Sequence, residues 1–146
     1  GKLRVFSGAL NAEKLKGFWT LQTQISQVKL QDVTGTIQFE NGKGSFQVQS
    51  LVGRLEGQNQ EGAINAQLAL DSELDVRSKS GRIQVQLAAG SGAALNLKTE
   101  EGDIQAPNEV QVVRNGSERS VRGRVRGDAQ RGRVFVRAQE GTISVK

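Results

Sequence analysis

The sequence predicts an all-β fold, a β-solenoid of the parallel β-helix type with about two nine-residue strand-bend units per coil. Three observations predict it. A small residue returns at a nine-residue period, an apolar-polar-apolar triplet follows each return, and the residues that build other folds are scarce. Aligned on the unit small-any-apolar-polar-apolar, the first positions are Gly8, Gly17, Ser26, Gly35, Gly44, Gly53, Gly62, Ser72, Gly81, Ala93, Gly102, Gly123, Gly132 and Gly141, and ten of the 13 intervals are nine residues. All 14 third positions are apolar, Ile37, Leu55, Ile83 and Val134 among them, and 12 of 14 fifth positions are apolar, the exceptions being Gly57 and Gly127. Alternation of this kind has the period of a strand with one face inward. The small residue marks a bend where φ is positive or a Cβ would crowd. A unit with two inward side chains cannot bury them alone, so the units must stack.

Composition agrees. The chain has 146 residues, one Pro, no Cys, no His, no Met, no Tyr and 4% aromatics. That length suits a single repeat domain over 1–146. Without Cys or His there is no disulfide, no thiolate or imidazole catalysis, and no Cys/His zinc or haem site, and no cofactor is implied. Glycine, 18 of 146 residues, exceeds the usual ~7%. Eleven of those glycines open a repeat unit, so the excess belongs to the bends rather than to a linker or a phosphate loop.

Taken in order, Asn11–Gly17 with Glu13, Lys14, Leu15 and Lys16 offers a helical turn, but the repeat phase favours strand. Trp19 falls on a third position and is expected in the core, with Phe18 outward. Units from Gly35 to Val85 are regular. Leu87–Gly92 adds residues and is expected to protrude. The units around Gly102 resume, then an irregular loop near 107–120 interrupts them; within it Val110-Gln111-Val112 is a candidate strand and Asn115-Gly116 a hairpin signal. Units at Gly123, Gly132 and Gly141 close the chain. Stacked in chain order, about seven coils rising ~4.8 Å each make a rod of roughly 35 Å. Outward ladders then run through Gln47, Asn65, Gln84 and Gln105, and through Gln38, Glu56, Asp75 and Asn96. The last unit, ending at Val145-Lys146, carries no polar cap, which invites end-to-end self-association.

The phrasing Ser80-Gly81-Arg82-Ile83-Gln84-Val85, Thr99-Glu100-Glu101-Gly102-Asp103-Ile104 and Glu140-Gly141-Thr142-Ile143-Ser144-Val145 resembles the repeats of a bacterial adhesin-type domain family of unknown function, DUF4097, with DUF2807 as a relative. The resemblance is strongest over 35–146. It implies a right-handed parallel β-helix in envelope-associated or secreted proteins, hence an extracellular or cell-envelope address. It also implies structural glycines (Gly35, Gly44, Gly53, Gly62, Gly81, Gly102, Gly123, Gly132 and Gly141) rather than catalytic residues.

Three chemistries deserve weighing. A calcium β-roll needs G-G-x-G-x-D in its turns, and among the units only Gly102-Asp103 places Asp second. A glycan-active enzyme needs clustered carboxylates; Glu73 and Asp75 share a strand face about 7 Å apart, flanked by Arg54 and Arg77. The third is a polyanion-binding face. Residues from 111 onward carry nine basic and three acidic side chains, against 11 and 12 before it. Arg122, Arg124 and Arg126 alternate with Val121, Gly123 and Val125; Arg131, Arg133 and Arg137 alternate around Val134 and Val136, with Phe135 joining them outside. Such a face suits an envelope polysaccharide or another polyanion; no nucleic-acid module accompanies it. No apolar run reaches the ~20 residues of a membrane-spanning helix. The expectation is a non-enzymatic envelope or secreted binding module, the alternatives being a carbohydrate-active β-helix enzyme or a purely structural stalk or assembly domain.

Overall fold

Stacked nine-residue units need two inward apolar residues per strand and a bend between strands, and the structure supplies both. In the computed structural model, which describes residues 2–69, 72–87, 93–125 and 132–146, twelve strands form one continuous sheet wound into a solenoid of about five turns. They are β1 (Lys2–Glu13), β2 (Lys16–Lys43), β3 (Phe46–Glu61), β4 (Ile64–Leu68), β5 (Glu73–Ser80), β6 (Ile83–Leu87), β7 (Ala93–Glu101), β8 (Ile104–Gln105), β9 (Val112–Asn115), β10 (Glu118–Val125), β11 (Arg133–Glu140) and β12 (Ile143–Val145). Among the described residues there is no helix; the strand reading holds over Asn11–Glu13.

Successive coils lie parallel. Val28 sits beside Phe46 and Leu55 beside Leu74, one coil of 18 or 19 residues apart. The inward third positions form a column through Ile37, Leu55, Leu74, Val134 and Leu95, none more than 2% exposed. Burying each such side chain contributes roughly 1.5–3 kcal/mol. Gly57, apolar-position exception in its unit, faces Phe39: a Cβ there would run into the Phe39 ring, which stacks on Phe46 with centroids 4.1 Å apart. One large ring fills the space of two layers.

The bends form columns as well. Gly17, Gly35 and Gly53 make one; Gly44, Gly62, Gly81, Gly141 and Gly102 make the other, all with φ between +91° and +148°. Within each column a Cβ would strike the carbonyl oxygen of the glycine in the coil below, as Gly81 against Gly62. Two features accompany these bends. Three residues before the first column, Lys14, Asp32 and Ser50 adopt left-handed conformations (φ 54° to 58°). Three residues before the second, an inward column runs through Asn41, Asn59, Ser78, Ala138 and Thr99, polar at every level except Ala138. There Thr23 Oγ1 donates to Asn41 Oδ1 (2.7 Å), Asn41 Nδ2 to Asn59 Oδ1 (2.7 Å), and Asn59 Nδ2 to the Gly62 carbonyl (2.9 Å).

The coils do not stack in chain order. β11 lies between β5 and β7, with Val136 beside both Val76 and Leu97. β12 likewise lies between β6 and β8, with Ile143 beside both Ile83 and Ile104. The C-terminal coil is thus inside the stack. Each expected ladder holds through its first three members, Gln47-Asn65-Gln84 and Gln38-Glu56-Asp75, and is corrected at the fourth: Ser144 separates Gln84 from Gln105, and Phe135 separates Asp75 from Asn96. Shorter amide ladders exist, for example Gln67 Nε2 to Gln86 Oε1 at 3.1 Å. Val145-Lys146 is no open end, because the Lys146 N–H donates to the Val85 carbonyl and the Leu87 N–H to the Lys146 carbonyl.

The expected seven coils shrink because residues 107–125 do not form a coil. β9 and β10 make an antiparallel hairpin closed by Gly116-Ser117, and β10 runs antiparallel to β7. The hairpin signal at Asn115-Gly116 holds, while the strand beside it is Val112–Asn115 rather than 110–112. Gly123 is corrected too. It lies within β10 opposite Leu95, and a Cβ there would meet Val110 Cγ1 at 2.9 Å. It makes room for the Val110 side chain, which packs against the core at this end. Trp19 is only half-buried, its Nε1 donating to the Lys16 carbonyl, and Phe18 is 54% exposed. The expected protrusion falls on 88–92, outside the described residues.

Candidate functional site

Alternation sends every second residue of β5, β11, β7 and β10 to one outer face, and the order β5-β11-β7-β10 decides which of them meet. Three rows result. The first crosses Glu73, Arg133, Ala94 and Arg124; the second Asp75, Phe135, Asn96 and Arg122; the third Arg77, Arg137, Lys98 and Ser120. Neighbouring strands are about 4.8 Å apart, and rows about 6.6 Å apart. The face therefore gathers Arg122, Arg124, Arg133, Phe135 and Arg137 as the alternation predicts. Arg126 and Arg131 lie outside the described residues.

Arg137 is the best-held cation of the face. Its Nη2 donates to Asn96 Oδ1 (2.8 Å), its Nη1 to the Asn96 carbonyl (3.1 Å), and its guanidinium lies 4.0 Å from the centre of the Phe135 ring. A stacked, doubly anchored guanidinium is oriented before any ligand arrives. Burial first, then the charges of Arg122 and Arg77, push its pKa below the usual value, and Asp75 pulls the other way. Arg137 stays protonated at neutral pH, but it sits in an excess of positive charge.

That excess follows from register. Arg77, Arg137 and Lys98 are in register on three adjacent strands, and like charges placed so are mutually destabilising. Lys98 is partly compensated by Glu118 at 3.7 Å. Two depressions flank the Phe135–Arg137 stack. One, about 410 Å³, is lined by Arg122, Arg124, Arg133 and Phe135, with the small Ala94 at the outward position between Arg133 and Arg124. The other, about 660 Å³, is lined by Arg77, Lys79, Lys98 and Arg137 together with glutamines. The sequence reading placed Arg77 only as a flank of the carboxylate pair and missed Lys79 and Lys98. These lie 39 to 60 residues from their partners across the strands, a separation at which no short-range pattern exists.

The carboxylate candidates Glu73 and Asp75 form the β5 edge of this face and are tied to one cation. Arg54 Nε lies 3.2 Å from Glu56, Nη1 3.5 Å from Glu73 and Nη2 3.8 Å from Asp75. Asp103, the β-roll candidate, accepts the Ile104 N–H on Oδ1 at 3.0 Å, a local turn bond. Among the described residues no group of three or more acidic, His or Cys side chains is placed to hold a metal ion, and no helix is long and apolar enough to cross a membrane.

Compared with known sequences, the chain matches the family model Toastrack DUF4097 over residues 19–146. The match begins well before Gly35, where the characteristic phrasing is strongest. No curated protein and no solved structure matches.

Proposed function

We propose, for a chain that belongs to the Toastrack DUF4097 family, that this β-solenoid is a non-enzymatic surface module of the bacterial envelope or of a secreted protein, and that it docks a polyanion on the β5-β11-β7-β10 face. The observation that carries the reading is the in-register row Arg77–Arg137–Lys98. A sheet serving only as a stalk gains nothing from aligned like charges, which oppose strand pairing by up to ~1 kcal/mol per pair; a bound anion turns that repulsion into attraction. The anchored Arg137 and the ring beneath it add a pre-ordered contact.

A glycan-cleaving site at Glu73 and Asp75 is less well supported. Arg54 ion-pairs with both, at 3.5 Å and 3.8 Å, so one oxygen of each carboxylate already faces a guanidinium.

The test is binding of the chain to an array of anionic and neutral glycans and lipids at low and high salt. Selective binding of anionic members is expected, weakening steeply with salt, with Arg133→Gln and Arg122→Gln each weakening it several-fold. Binding to neutral members, or salt-independent binding, would contradict the reading, and no binding at all would favour the stalk.

A further inference from the structure

We propose that the depression beside Arg77 and Arg137 is a binding site for a linear polyuronate, an unbranched acidic glycan with a carboxylate on every sugar, lying along the solenoid axis. The proposal rests on the anion-binding reading above and assigns it a ligand class and a direction.

The groove crosses β3, β5, β11 and β7 at about right angles to the strands. Its length is three strand steps, roughly 14 Å. One wall is the row Gln58, Arg77, Arg137 and Lys98; the other includes Lys79 and Gln139. Along the first wall a cation recurs at each of three strand steps, about every 4.8 Å. That is close to the length of one pyranose unit in an extended glycan, and successive sugars of a 1,4-linked chain turn over, so a uronate chain laid along the axis presents its carboxylates to the two walls alternately. Those on one side meet Arg77 and Lys98, two strand steps or about 9.6 Å apart, and those between them face the wall that carries Lys79. A phosphodiester chain spaces its charges more widely, and many sulfated glycans cluster theirs on alternate sugars. Neither keeps step with the strands.

The remaining lining suits the rest of a sugar. Gln58, Gln60 and Gln139 are exposed, and each amide can both donate to and accept from a hydroxyl. Arg137 cannot swing away, because Asn96 holds two of its donors, and a fixed guanidinium matches the planar carboxylate. Two acids face the site. Glu118 shares Lys98 at 3.7 Å, and Glu100 lines the β7 end, so both oppose the ligand there.

The experiment is calorimetric titration of the chain with oligogalacturonates from dimer to hexamer, their methyl esters, inorganic sulfate and polyphosphate, with folding of every variant checked by circular dichroism. Affinity should climb with each added uronate to about four sugars, the span of the groove at one sugar per strand, and then level off. The esters should bind at least tenfold more weakly. Arg77→Gln and Lys98→Gln should each weaken tetrauronate binding several-fold, and Glu118→Gln should strengthen it. Esters binding as well as acids, sulfate binding as tightly as the tetramer, or indifference to Arg77→Gln and Lys98→Gln would overturn the proposal. If polyphosphate binds through Arg122 and Arg133 while uronates do not, the groove assignment fails and the anion-binding reading survives. If no polyanion binds, both fail.

Discussion

Gly81 and Asn59 show how a single residue is chosen in this fold. Gly81 combines φ +125° with backbone contact to Gly62, so neither the torsion nor the space admits a side chain. Gly81→Ala is expected to cost about 3 kcal/mol or more in urea unfolding. Gly116→Ala, at φ +64° with nothing within 4 Å, should cost only about 1 kcal/mol. Equal effects would mean the columns are not steric. Asn59 is 3% exposed, with Asn41 donating to it and its own amide donating to Gly62. Asn59→Ala removes both partners and should cost about 2–3 kcal/mol, whereas the exposed Asn65 should tolerate the same change within about 0.5 kcal/mol. The glycines were legible because a steric requirement leaves one acceptable residue. The polar column was not. Nine-residue phasing treats Asn41 and Asp32 as equivalent, yet one lies inside a bend and the other adopts a left-handed turn outside it.

At the scale of the element, strand phase was readable and strand neighbourhood was not. Inward and outward residues alternate in β5, β7 and β11 as their apolar spacing requires. Val134 and Val136, however, would fit between almost any two coils, since every coil offers aliphatics at the same positions. Nothing local in β11 states that its neighbours are β5 and β7. The arginine face was therefore half legible. Its residues on β10 and β11 follow from alternation, while Arg77 and Lys98 join only through the unusual order. The row has a measurable consequence. Arg77→Gln relieves a like-charge neighbour of Arg137, so it should leave stability unchanged or raise it by a few tenths of a kcal/mol, and added salt should stabilise the parent chain more than the variant. A loss of stability beyond about 1 kcal/mol on that substitution would show that Arg77 makes a structural contact instead.

For the molecule as a whole, the consequence is a stack whose order in space departs from its order in sequence, with an antiparallel hairpin covering the β7 end. A period alone argues for stacking, and its extent set the solenoid architecture correctly. It does not carry the topology, because the reversal at Gly116 and the return of the C-terminal coil are long-range choices. Everything proposed about the basic face depends on that return. Disulfide trapping tests it directly, and the absence of native cysteine makes the background clean. Ser144 lies beside both Gln84 and Gln105, within the roughly 4.4–6.8 Å Cα separation a disulfide needs. Gln84 and Gln105, two strand steps apart at about 9.6 Å, lie beyond it. Under mild oxidation of the folded chain, the pairs Gln84→Cys with Ser144→Cys and Gln105→Cys with Ser144→Cys should each cross-link, and Gln84→Cys with Gln105→Cys should not. Efficient cross-linking of Gln84→Cys with Gln105→Cys, and failure of both Ser144→Cys pairs, would contradict the account.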